Sequence, residues 1–209
     1  MQKGYFFPTL ILVLTVLISC SGPKHYLIKE NALNERQNNK TKATVVFIRL
    51  QSGFGGTHDV AVYDGDKLIG ILSDSGYFTY ETSPGEHLFA SYSRTLDFLK
   101  AEIAAGKTYY VQASHQDRVL ALASKIIAVK KGSDIMNELD QILPSLNNTE
   151  LTELGRELYK VHNEPNGKFI IDDRAAFFTY RIDYDQARAQ WLQKSKTVQK
   201  AELQPEDGL

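Results

Sequence analysis

Residues 59–72, Asp-Val-Ala-Val-Tyr-Asp-Gly-Asp-Lys-Leu-Ile-Gly-Ile-Leu, are two short apolar runs on either side of Asp64-Gly65. The tightest hairpin turns need positive φ, which Gly and Asp tolerate, so this stretch predicts two paired strands. Just upstream, Ala43–Leu50 (ATVVFIRL) is apolar on both faces and rich in β-branched residues, as in a strand at the centre of a sheet. Downstream, the pattern continues at 76–82, 86–93, 95–103, 108–114 and 118–129. The separators are Asp74-Ser75-Gly76, Ser83-Pro84-Gly85, Ala105-Gly106-Lys107 and His115-Gln116-Asp117, each with turn-forming residues. About seven to eight short strands at this spacing predict a mainly β fold, an antiparallel β-sandwich over residues 43–131.

Beyond Gly132 the period becomes helical. Ser133 is placed to cap a helix with Ile135, Leu139 and Ile142 on one side, stopped near Pro144. A second helix is expected from about Asn148, with Leu151, Leu154, Leu158 and Val161 on one face, ending at Pro165-Asn166-Gly167. Residues 168–182 read as a strand or a short helix. A last helix is expected from Asp183 through Trp191 to about Lys200, with a charged, frayed end. Residues 132–209 are thus expected to form a helical C-terminal region.

The 209-residue chain carries 24 Lys and Arg against 25 Asp and Glu, interleaved throughout. With no basic stripe, nucleic acid is not an expected partner. Residues 20–42 are rich in Asn, Lys and Glu and read as a flexible tether. Before it, Lys3 precedes an apolar run from Tyr5 to Ile18 that is too short to span a bilayer as a helix and has the layout of an export signal over residues 1–19.

Leu17-Ile18-Ser19-Cys20 resembles the lipobox of bacterial lipoproteins, and Cys20 is the chain's single cysteine. The resemblance implies cleavage before Cys20 and acylation of its sulfur. Two or three acyl chains hold a protein at a bilayer almost permanently. Ser21, where an Asp would retain the protein at the inner membrane, resembles the sorting pattern of an outer-membrane passenger facing the periplasm. At Val62-Tyr63-Asp64-Gly65, Leu68-Ile69-Gly70, Pro84-Gly85-Glu86-His87 and Gly106-Lys107-Thr108-Tyr109-Tyr110-Val111, the chain resembles an uncharacterised family of bacterial lipoproteins. These carry a small sandwich similar to the PEGA and carboxypeptidase-regulatory modules. The resemblance covers about 43–129 and implies a fold whose members are mostly non-catalytic.

Residues 51–59, Gln-Ser-Gly-Phe-Gly-Gly-Thr-His-Asp, are the most glycine-dense stretch. A strand follows rather than a helix, so no phosphate cradle is formed. The stretch reads as a hairpin connection or as a binding loop built from Gly53, Phe54, Gly55, Gly56 and His58. His58 and Asp59, as neighbours on a strand, are expected to point to opposite faces rather than to cooperate. His25, His87, His115 and His162 lack helical zinc spacing, and no thiol is left to complete a site. No Gly-X-Ser-X-Gly elbow occurs. Asp172-Asp173-Arg174 reads as a solvated turn or helix start. Most of the aromatic residues between Tyr77 and Tyr110 are expected in the core. The chain is accordingly expected to have no cofactor and no catalytic or metal residues. Its expected role is binding or scaffolding, with the membrane and an envelope protein or the cell wall as partners. The alternatives are an envelope hydrolase, with a site around His58 or Asp172, and a small-ligand sensor using the 51–59 loop.

Overall fold

The computed structural model describes residues 26–29, 40–51, 58–118, 121–174, 180–195 and 202–209. Cys20 and residues 52–57, which include Gly53, Phe54, Gly55 and Gly56, lie outside the described residues. The strands are β1 (Tyr26–Lys29), β2 (Ala43–Arg49), β3 (Val60–Asp64), β4 (Lys67–Leu72), β5 (Gly76–Thr82), β6 (Gly85–Ser93), β7 (Thr95–Ile103), β8 (Thr108–Arg118), β9 (Ala121–Ala128), β10 (Asn147–Leu151), β11 (Tyr159–Asn163), β12 (Phe169–Asp173) and β13 (Tyr180–Asp183). The helices are α1 (Asp134–Ile142), α2 (Glu153–Leu158) and α3 (Tyr184–Ser195). No helix among the described residues is long and apolar enough to cross a membrane.

The Asp64-Gly65 hairpin forms as expected, with Gly65 at φ +59° and β3 antiparallel to β4. These strands belong to a four-stranded sheet in the order β4-β3-β6-β7. Facing it is a six-stranded sheet in the order β1-β10-β5-β2-β8-β9, with β2 between β5 and β8, as its two apolar faces require. Between them, Phe47 stacks on Phe78 at 5.0 Å and meets Phe89 edge-on at 5.2 Å, with Val45, Val60, Val62, Leu99 and Val111 around them. Gly70 is required at this level, because a Cβ there would fall 2.3 Å from the Phe78 ring.

The seam between β9 and β7 is bridged by side chains. The Ser124 N–H donates to Thr95 Oγ1 at 2.9 Å, and the Ile126 N–H to Asp97 Oδ2 at 3.1 Å. Backbone groups that an edge strand would expose are thereby satisfied. The opposite face of β2 packs Val46 and Ile48 against Leu139 of α1 and Leu143 just after it. Ser133 caps α1 by accepting the Met136 N–H, as its position predicts. On the outer face of the four-stranded sheet, Tyr63, Tyr92 and Phe98 pack against Tyr159, Ile171, Tyr184 and Trp191 from the three-stranded sheet β11-β12-β13 and from α3.

The sequence expectations are corrected in four places. The six-stranded sheet is mixed rather than purely antiparallel, since β2 runs parallel to β8 and β10 parallel to β5, whereas the four-stranded sheet is antiparallel throughout. His115-Gln116-Asp117 is no turn: β8 continues through them to pair Arg118 with Ala121. The helix expected from Asn148 is divided into β10, the six-residue α2 and β11. Thr149 Oγ1 reaches the carbonyls of Ile71 and Tyr77, tying β10 to its neighbours, whereas Leu154, assigned by helical spacing to the buried face, is 45% exposed. Pairing along β1 and β5 overrides the local period there. The C-terminal region is therefore strand-rich, and the described residues hold thirteen strands in all. Finally, Tyr26–Lys29, inside the stretch whose composition reads as a tether, pairs with β10.

The chain's last residues close one end of the core. Leu203, fully buried, bridges to Ala101 of β7 through backbone hydrogen bonds with Lys100 and Glu102. Leu209 exchanges two backbone bonds with Thr108, and Lys130 pairs with Asp207 at 2.5 Å.

Candidate functional site

Side chains on one face of a strand alternate with those on the other, so the interior between the two large sheets can be followed row by row. Along β2 the inward positions are Ala43, Val45, Phe47 and then Arg49; along β8 they are Tyr109, Val111, Ala113 and then His115. On β6, Phe89 is followed by Ser91 and Ser93, and on β9 Ser124 precedes the inward Ile126 and Ala128. The hydrocarbon core thus ends in a polar layer, and all five of these polar residues are buried. At this end β2 leaves the six-stranded sheet and β3 enters the four-stranded one.

Arg49 organises the layer. Its side chain is fully buried. Nη1 donates to the His58 carbonyl at 2.6 Å and to the Leu72 carbonyl at 3.1 Å. Nη2 lies 3.3 Å from His115 Nε2 and 3.7 Å from Asp74 Oδ1. A guanidinium only donates, so His115 accepts at Nε2 and carries its proton on Nδ1. Burial pulls the Arg49 pKa down, while Asp74, Asp59 and Tyr26 oppose that shift.

Asp59, which begins the chain's return into β3, has its carboxyl pushed up to about 6 by burial, with Arg49 opposing. Burial lowers the pKa of half-buried His58, helped by the Arg94 and Arg49 charges and opposed by Asp173. Arg94 occupies the tight turn between β6 and β7 at φ +74°, and its guanidinium lies 4.6 Å over the Tyr180 ring. Asp173, buried on β12, accepts from the Tyr92 hydroxyl at 2.9 Å. Burial and the Asp173 charge hold the Tyr92 and Tyr159 phenols above their ordinary range.

Of the loop residues singled out in the sequence, His58 alone is described, at the rim of this layer. Asp172 lies elsewhere, buried on β12 together with Asp173 rather than in the solvated turn or helix start expected there, and stands 3.2 Å from Arg174 and 3.5 Å from Arg181. Arg49 and Arg94 were not singled out in the sequence, while His115 and Asp173 were weighed there and set aside, the first as a turn residue without zinc spacing and the second as part of a solvated turn or helix start. The legible signal was Arg49 itself, a charge at the inward position of an otherwise apolar strand. Among the described residues, no group of three or more His, Cys, Asp or Glu is arranged to hold a metal.

The opposite end of the core has its own polar feature. His87 Nδ1 lies 2.9 Å from Asp64 Oδ2, and Nε2 lies 2.9 Å from the Ser83 carbonyl. Carboxylate and carbonyl oxygens only accept, so this arrangement is complete when both ring nitrogens donate, as in the imidazolium form. Its pKa is raised, chiefly by the Asp64 hydrogen bond.

Compared with known proteins, the chain has no match: no family model, no curated protein and no solved structure is significantly similar to it.

Proposed function

We propose that this is a lipid-anchored protein of the bacterial cell envelope, held by acylated Cys20 at the outer membrane and facing the periplasm. Its role is binding or scaffolding rather than catalysis, carried by the 51–59 loop on a two-sheet β-sandwich. The observation that carries the reading is the Arg49 strut. One buried guanidinium fixes the loop's return at His58 to the end of β4 at Leu72, giving a short glycine-rich connection a rigid base. Recognition residues are commonly carried on loops held by rigid scaffolds. The partner is an envelope protein or cell-wall material.

Two measurements test this. Cys20→Ala is expected to move the protein from the membrane fraction to the soluble periplasm, and an unchanged membrane fraction would remove the anchor from the reading. Crosslinking in cells should recover a partner with the native chain, and lose it when Gly53-Phe54-Gly55-Gly56 is replaced by four serines. Equal recovery from both chains would exclude the loop as the contact.

A second reading, a hydrolase or small-ligand sensor at the same place, draws on the Asp59 carboxyl near pH 6 beside His58. Hydrolysis of envelope substrates that disappears in Asp59→Asn would favour it over scaffolding.

A further inference from the structure

A cavity of about 380 Å³ opens at the tail end of the four-stranded sheet, away from the 51–59 loop. Its floor is formed at Ala101 and Leu203, whose side chains are buried in the inter-sheet core, and its apolar walls are the half-buried Leu88 and Leu192. Around this floor stand Glu86, Glu102, Lys100, Arg188, Glu202 and His87. The volume is within the range of small-ligand sites.

The charges around it are unevenly paired. His87 is engaged by Asp64 at 2.9 Å, and Lys100 by Glu202 at 3.9 Å. Glu86 and Glu102 face each other directly across β6 and β7. Among the described residues, neither has a hydrogen-bond or ion-pair partner for its carboxylate, and Arg188 on the facing helix has none for its guanidinium. Like charges directly opposite on a sheet destabilise it. An ammonium, with three donors, is suited to bridge two such carboxylates, and a guanidinium presents a fork to one carboxylate.

We propose that this cavity binds an amino acid or short peptide with a free ammonium and a free carboxylate. Glu86 and Glu102 take the ammonium, Arg188 takes the carboxylate, and a small apolar side chain rests on Leu88 and Leu192. The site shares no residue with the 51–59 loop, so it stands or falls separately from the reading above.

The test is calorimetric titration of the full-length protein in detergent with the dipeptide Ala-Ala, its N-acetyl form, its C-terminal amide, and calcium alone. One-site saturation by Ala-Ala is expected, with each capped form weaker by roughly tenfold. In Glu102→Gln the penalty for acetylation should shrink while that for amidation persists, and Arg188→Gln should show the reverse. All three side chains are exposed, so both variants should melt as the native protein does. No saturation by Ala-Ala below about 10 mM, equal binding of the capped forms, or calcium binding that Glu102→Gln removes while dipeptides fail to bind would each overturn the proposal.

Discussion

The two ends of the inter-sheet core are finished in opposite ways. At the tail end, apolar surface is covered by more apolar surface: the chain's own C-terminus inserts Leu203 and pairs its backbone with β7 and β8. At the loop end, the hydrocarbon gives way to Arg49, His115 and three serines, with Asp59 and Asp74 beside the guanidinium. An apolar seal needs only shape and volume. A polar terminus needs every buried group satisfied, so it is sensitive to each partner and to pH. At the loop end, charge is held among the ends of β2, β4 and β8, and the binding role proposed for that end draws on it.

The largest effect that would break this comparison is expected from Arg49→Met, which keeps bulk but strands the His58 and Leu72 carbonyls and the Asp74 charge. A loss of about 3–5 kcal/mol, read by urea denaturation, follows from removing one partner of a buried charge network. Next comes Leu203→Ala at the tail end, expected to destabilise by about 2–5 kcal/mol through lost burial and the cavity left behind. A loss below about 1 kcal/mol would mean that the tail is not a seal.

The smallest effects separate the ends by pH. The Asp59 carboxyl is raised to about 6, so the folded state binds the extra proton. Stability should therefore fall as pH rises from about 4 to about 6 and then level off, and Asp59→Asn should remove that decline. The His87 pKa is also raised, by its bond to Asp64. Its contribution is fully present below the unfolded value near 6.5 and is lost as pH rises through the folded value. His87→Gln should abolish the decline above pH 6.5 and leave the one below pH 6 intact. Thermal melts across pH 4–9 would check both windows, and a single shared transition altered by both variants would show that the ends are coupled.

Much of the β framework was legible because its signals are local. Asp64-Gly65 needs positive φ, alternation identifies inward positions, and the two apolar faces of residues 43–50 mark a central strand. The α1 helix was legible for the same reason, through Ser133 and the spacing of Ile135, Leu139 and Ile142. Residues 147–163 were not. Their leucines satisfy a helical period, but the open edge of β5 and the carbonyls of Ile71 and Tyr77 offered Thr149 and its neighbours hydrogen bonds that no local pattern reveals. The loop end was half legible. Glycine density pointed to residues 51–59, whereas the Arg49 strut is assembled from strands far apart in sequence, with His115 sixty-six residues from Arg49.

By itself the sequence determined most of the strands of residues 43–131, the tight turns up to Gly106 and the first C-terminal helix, because these follow from backbone preference and side-chain alternation within a few residues; the turn expected at 115–117 is instead part of β8. Only the tertiary structure decided that β2 and β8 run parallel, that Leu203 returns to seal the core, and that Arg49 bridges His58, Leu72 and His115. Those outcomes depend on which unsatisfied backbone groups and which apolar gaps remain once distant segments have packed, and no window of adjacent residues contains that information.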